Sequence, residues 1–292
     1  MLYTLQSAPD AAKVSVMMHS IRRSLGTAPI TAQIGMVVIL VYIFVAVFAP
    51  LLAPYGQNEI VDFEFEPWSS KHWLGTDNLG RDLLSRIIYG ARNTVGIAFL
   101  TTILAFLIGT TLGILAAING GWTDQIFSRI VDVMMAIPSL IFKLLLLTVL
   151  GTSIFNMIVI IAIVDSTRVF RLARAVSMDI VVLDYVEAAK LRGDGLWRLI
   201  TREILPNAAA PLAAEFGLRF CFVFLAISAL SFLGLGIQPP LADWGSMVRD
   251  NASLIAFGAV TPLIPAVAIG VLTIGVNFVV DWMLARYSGL KD

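Results

Sequence analysis

The sequence predicts an all-α integral membrane protein with about six transmembrane helices, and three observations carry that prediction. Of its 292 residues, 58% are hydrophobic and only 14% are charged, with a mean hydropathy of +0.87. A soluble domain has about a quarter of its residues charged. The excess apolar surface is more than one core can bury, so lipid serves as solvent for much of it. The apolar residues also fall in long runs, and about 20 in a row cross about 30 Å of hydrocarbon. Finally, Lys and Arg are shared unequally between the segments that join those runs.

Six spans follow, at residues 34–52, 94–118, 126–150, 155–169, 208–235 and 256–285, the fourth being short unless it runs on towards Arg174. The first starts too far into the chain for a cleavable signal peptide, and the Ala49–Pro54 stretch after it is a weak cleavage site. With the N-terminus inside, the cytoplasmic side receives Lys13, Arg22, Arg23, Arg129, Arg168, Arg171, Arg174, Lys190, Arg192, Arg198, Arg202, Arg286 and Lys291. The outside receives Lys71, Arg81, Arg86, Arg92 and Arg249. Basic residues favour the cytoplasmic side, so both termini are expected there. The chain then divides into a cytoplasmic segment 1–33, a first helix and external loop 34–93, a five-helix core 94–285 and a tail 286–292.

Composition also excludes partners. A formal net charge of zero argues against a nucleic-acid partner, which would need a basic patch or stripe. Cys221 is the single cysteine, lies in an apolar run and reads as a small buried hydrophobe. His19 and His72 are too few and too far apart for a zinc site.

The external loop, about residues 53–93, has internal structure. Residues 61–66 alternate apolar and acidic side chains, the period of a strand with one wet face. Asp77 is placed to cap a following helix. Leu79, Leu83, Leu84, Ile87 and Ile88 share one helical face, which suggests a helix lying in the outer interface. This unit reads as a plug over the spans, and as a surface for an external binding protein. In the second span, Ala105, Gly109, Gly113 and Ala117 recur every four residues, so another helix can approach closely.

A charged island of about 20 residues interrupts the apolar runs. Residues 184–192 favour helix, Gly193-Asp194-Gly195 breaks it, and residues 196–204 resume it with Leu196, Leu199 and Ile200 on one face. Pro206 is expected to stop that piece and Asn207 to cap the next span. A plain basic loop would account for Lys190, Arg192, Arg198 and Arg202, but not for Ala188-Ala189 followed by a glycine turn. Small alanines let a short helix sit deep in a partner's groove, and Gly193 permits a sharp exit.

That stretch resembles the EAA loop of membrane subunits of ATP-binding cassette (ABC) importers. Glu187, Ala188, Ala189, Gly193, Leu205 and Pro206 match, while Glu203 stands where the family usually has an apolar residue. Other segments are similar to one branch, the second membrane subunit of dipeptide, oligopeptide and nickel importers. These are His72-Trp73-Leu74-Gly75-Thr76-Asp77 through Asp82, Arg129-Ile130-Val131-Asp132 through Ala136-Ile137-Pro138-Ser139, and Ser228 through Pro239-Pro240, continuing to Asp243-Trp244-Gly245. The resemblance covers residues 34–281; the tail 282–292 lacks the Asp-Pro-Arg-like ending of that branch.

The resemblance implies a type I permease fold whose coupling loop, about residues 176–206, carries a cytoplasmic coupling helix. It implies a bacterial inner-membrane importer built from a second, related permease subunit, two ABC ATPase subunits and an external substrate-binding protein. ATP and magnesium would be bound by the ATPases. This chain has no Gly-x-x-x-x-Gly-Lys-Ser/Thr loop, so it is expected neither to hydrolyse ATP nor to hold a cofactor. Peptides are the implied cargo, with nickel chelates, opines, glutathione-like conjugates and sugars as alternatives. An ion-coupled secondary transporter is the competing class, and would need coupling acids near mid-membrane and inverted repeats.

Ionisable residues inside spans are costly and are functional candidates. Lys143, Glu215, Arg219 and Ser231 are the candidate pathway residues. Lys143 is expected to snorkel or to make a structural pair, with cargo contact as the alternative. Glu215 and Arg219 are four apart and expected to pair. Asp165, near Arg168, reads as an inner-end structural acid, and Asp132, one turn from Arg129, is expected to do the same.

Overall fold

A computed structural model describes residues 28–287. The expectations for residues 1–27, including Lys13, His19, Arg22 and Arg23, and for the tail from residue 288 lie outside the described residues.

Among the described residues the regular structure is helical, with a loop at residues 53–82. Helix α1 (Ile30–Val47) follows Pro29 and is apolar on all sides, and a short α2 (Ala49–Leu52) ends it. The loop that follows differs from expectation. Residues 61–66 form no strand, and only isolated bridges join Ile60 to Arg81 and Thr76 to Asp82. Thr76 is the reason: its hydroxyl donates to the Phe63 carbonyl at 2.7 Å and accepts from the Glu66 N–H at 2.8 Å. The segment wraps around one side chain instead of pairing with an extended neighbour.

Helix α3 (Leu83–Gly90) is capped by Asp82, which accepts from the Ser85 N–H at 2.8 Å. Asp77, the expected cap, instead accepts from the Leu79 and Arg81 N–H groups. Nor is α3 a separate interfacial helix. It continues through a π-helical turn (Ala91–Val95) into α4 (Gly96–Asn119), so Leu83–Asn119 is one rod. The π-turn absorbs an extra residue without breaking the hydrogen-bonded column.

Helices α5 (Gly121–Ala136) and α6 (Ser139–Leu150) meet at 90°. The sequence reading ran one span through residues 126–150; Pro138 breaks it. Proline lacks an N–H and pushes the residue before it out of the helical region, and Ile137 is extended. Helix α7 (Ile154–Val181) has 28 residues, well past the expected end at 169, because Arg171 and Arg174 find partners on α5. Helix α7 packs along α4. There the small-residue ladder does what its spacing predicts: a Cβ on Gly109 would lie 2.6 Å from the Ser166 carbonyl, and one on Gly113 2.8 Å from the Phe170 carbonyl.

The island forms α8 (Asp184–Leu191), a turn, α9 (Leu196–Arg198) and a π-turn (Leu199–Ile204). Pro206 does not stop it. It sits in the first turn of α10 (Leu205–Phe232), so Leu196–Phe232 is continuous. A missing N–H is tolerated in a first turn, and the preceding π-turn takes up the mismatch. Asn207 does not cap; its amide donates to the Glu203 carbonyl at 2.6 Å.

Helix α11 (Trp244–Asn251), a 3₁₀ segment (Ala252–Phe257) and α12 (Leu263–Tyr287) complete the chain. Helix α12 packs on α1 and α10. Among the described residues, four helices are long and apolar enough to cross a membrane: Ile30–Val47, Leu83–Asn119, Leu196–Phe232 and Leu263–Arg286. The bent pair α5–α6 would make five.

Candidate functional site

The sequence singled out an island at one end of the molecule and charged residues within the spans. The structure keeps these as two separate sites.

In the island, α8 begins without a side-chain cap but with Asp184 and Glu187 in its first turn, where negative charge suits the helix dipole. Gly193 ends it at φ +77°, and its N–H bonds the Lys190 carbonyl at 3.0 Å. An L side chain is disfavoured at that φ. Asp194, which the sequence reading passed over, then bridges two arginines: Arg192 at 3.2 Å on one carboxylate oxygen and Arg198 at 3.2 Å on the other. It ties α8 to α9 across the turn.

The two alanines separate. Ala189 is fully buried with Val186, among Ile114 of α4, Ala173 and Ile180 of α7, and Leu199 and Ile204. Ala188 is exposed, as are Glu187 and Gly193. The close fit expected for both alanines is therefore divided, with Ala189 facing its own chain. A helix turns about 100° per residue, so neighbours cannot share one face. Leu205 is exposed, and Pro206 lies beside it at the root of α10. The outward face carries Tyr185, Leu191 (83% exposed) and Trp197 (77% exposed). None of the three was a candidate. The signal was present: Leu191 and Trp197 are large apolar residues off the Leu196–Leu199–Ile200 face of a charged segment.

The second site joins α6, α7 and α10. Lys143 neither snorkels nor stands free; its Nζ lies 2.6 Å from Asp165 Oδ2. Asp165 Oδ1 lies 3.6 Å from Arg219 Nη1, and Arg219 Nε donates to Glu215 Oε1 at 3.1 Å. Lys143, Asp165 and Arg219 are all buried. The expected Glu215–Arg219 pair is present and extends into a four-residue network with two charges of each sign. Asp165 does not pair with Arg168, and Asp132 pairs with Arg171 at 3.4 Å rather than with Arg129. In each case the partner lies on a neighbouring helix, which spacing along one helix cannot reveal.

Ser231 belongs to neither site. It is buried at the C-terminal end of α10, where its Oγ accepts from the Ile237 N–H at 3.1 Å and its carbonyl from Arg249 at 3.1 Å. It secures the turn after α10. Nearby, Asp243 caps α11 by accepting from the Ser246 N–H at 2.8 Å, and accepts from the Thr94 hydroxyl at 2.9 Å. Burial raises the Asp243 pKa against these hydrogen bonds. The Trp244 indole donates to the Ile87 carbonyl at 3.0 Å, which seats α11 on α3. Arg81 and Arg86 are buried on Asp77, and Arg249 pairs with Asp250.

Comparison with known proteins bears directly on these features. Residues 109–288 match the family described as binding-protein-dependent transport system inner membrane component. Residues 31–67 match the N-terminal transmembrane domain of oligopeptide transport permease C. The chain is 37% identical to a dipeptide transport system permease protein of Alkalihalophilus pseudofirmus over 262 residues, 89% of this chain and 84% of that one. It is 33% identical to a glutathione transport system permease protein of Pectobacterium atrosepticum over 84% of this chain and 79% of that one. It is 34% identical to a probable D,D-dipeptide transport system permease protein of Escherichia coli over 87% and 88%. An all-helical chain with four or five apolar spans, matched over more than half its length by that family, is a multi-pass inner-membrane protein. The chain belongs to the inner-membrane components of binding-protein-dependent transport systems, as a permease subunit of an ABC importer.

Proposed function

We propose that this chain forms half of the translocation pathway of an ATP-driven peptide importer and receives force from a separate ATPase through residues 184–206. One observation carries the coupling reading: the island is apolar on both sides. Val186 and Ala189 pack on the inner ends of α4 and α7, while Tyr185, Leu191 and Trp197 point away from the chain. Large exposed apolar groups on a charged segment mark a docking surface. A partner pressing on Ala188 and Leu191 moves the ends of α4, α7 and α10 together, because the island is packed on all three.

In this reading the bent pair α5–α6 and α7 complete six spans, with both termini and the island in the cytoplasm. Helix α7 is largely apolar to about Val164, and of its later charges Asp165, Arg171 and Arg174 pair with α5, α6 and α10. The partners are a related second permease, two ATPases that bind ATP and magnesium, and an external binding protein. The relatives' names support peptides as cargo: a dipeptide, a D,D-dipeptide and glutathione permease all fall within 33–37% identity.

The test is co-purification and uptake with Leu191→Asp and Trp197→Ala variants. We expect normal membrane insertion, loss of the ATPase from the purified complex, and dipeptide uptake lowered by about tenfold or more, since a buried interface anchor contributes about 2 kcal/mol or more. Full ATPase recovery with normal uptake would falsify the coupling role.

A further inference from the structure

The charge network leaves one arginine over. Lys143 and Arg219 are balanced by Asp165 and Glu215. Arg168, on α7, has no acidic partner among the described residues, and its contact is with an aromatic ring: its Cζ lies 5.9 Å from the centre of Phe222. Arg219 Cζ lies 5.4 Å from the same ring. Phe222 is 46% exposed and Arg168 is exposed beside it.

The depth of this pair matters. Arg168 meets the same ring as Arg219, and Arg219 is central in α10 (Leu205–Phe232), about 20 Å from either end at 1.5 Å per residue. An exposed guanidinium at that depth is costly against lipid and is found facing a bundle interior or a water-filled cavity. Its position over Phe222, level with Arg219, shows no turn towards a membrane surface. Cation–π contact holds it there. The face of α7 and α10 that carries Arg168 and Phe222 is therefore turned away from lipid. The surplus positive charge makes it attractive to an anion, because the buried network below contributes no net charge.

We propose that Arg168 and Phe222 line the translocation pathway and take the carboxylate of the cargo as it passes, an assignment that rests on the peptide reading above. Arg168 supplies a charge-assisted contact, and Phe222 gives the cargo an apolar platform. Glu215, half-buried at the edge of the network, is placed to meet the opposite, ammonium end. The buried Lys143–Asp165–Arg219 core holds the wall rigid without contacting cargo itself.

The test uses the assembled importer with Cys221→Ala, which removes this chain's single native thiol, and labelling is read on this chain after the subunits are separated. Phe222→Cys is labelled with an anionic sulfonatoethyl and a cationic trimethylammonium-ethyl methanethiosulfonate, each relative to its rate with free thiol. We expect labelling that depends on the ATP-bound state, with a preference for the anionic reagent of roughly tenfold at a charge separation of about 6 Å. Arg168→Gln should abolish that preference and Arg168→Lys should restore it. In proteoliposomes, Arg168→Gln should lower dialanine uptake by about tenfold, the value of one charge-assisted contact, with partial recovery in Arg168→Lys. A thiol at 222 that stays unlabelled in every nucleotide state overturns the proposal, because this face is then not on a water-filled pathway. Labelling without charge preference overturns the carboxylate role. Normal labelling with no dialanine uptake by the unsubstituted importer sinks the peptide reading and leaves the pathway wall standing.

Discussion

Asp165 holds two cations inside the bundle, Lys143 on one oxygen and Arg219 on the other. Removing its charge strands both, so Asp165→Asn should destabilise the protein by about 3–5 kcal/mol, whereas the double change Lys143→Met with Asp165→Leu should cost clearly less. Thermal unfolding of the detergent-solubilised variants measures both. Asp243 behaves differently, because burial raises its pKa in the folded state. The folded form then holds its proton more tightly than the unfolded form does. The contribution of Asp243 is full below the ordinary aspartate pKa and is lost as pH rises through the folded value. The unfolding temperature should therefore carry a falling component across that window that is absent in Asp243→Asn. Of these residues, only the Glu215–Arg219 pair could be read from the sequence, since four-residue spacing puts both on one helical face. Lys143 and Asp165 lie on different helices, and nothing local announces their contact.

Prolines and glycines decide the elements, each according to position. Pro138 produces a 90° bend between α5 and α6, yet Pro206 and Pro211 leave α10 unbroken. The difference lies in what surrounds them: Ile137 is extended before Pro138, whereas a π-turn precedes Pro206 and neighbouring helices support α10. The Gly109–Gly113 ladder was legible, because small residues at four-residue spacing have one common use in membranes. Gly109→Ala should push α4 off α7 and cost about 1–3 kcal/mol by overpacking, read as a lower unfolding temperature. Gly193 differs, since a Cβ there meets nothing within 4 Å. Its constraint is the positive φ, so Gly193→Val should strain the turn by about 1–2 kcal/mol. The chain should remain in the membrane while ATP hydrolysis uncouples from uptake. Normal uptake by that variant would count against the island as the coupling element.

Across the whole molecule, the island and the charge network hang on the same three helices. The C-terminal ends of α4 and α7 and the N-terminal end of α10 receive α8, and the middle of α7 and α10 carries Asp165 and Arg219. Movement of the island therefore has a short packed route to the centre of the bundle. The topology is testable as well: a fluorescent protein fused after Asp292 should fold and fluoresce, while an alkaline phosphatase fusion there should be inactive, if the C-terminus is cytoplasmic. The sequence by itself determined the membrane class, most of the spans, the helix–turn–helix island and the family, because hydropathy, small-residue spacing and long motifs are local properties of the chain. Only the tertiary structure decided that the expected strand is a loop wound on Thr76, that Ala189 faces inward, that Lys143 is paired and that Ser231 is a brace. Those outcomes depend on which side chains meet across helices, and burial in a crowded interior forces each polar group to find the partner that stands opposite it.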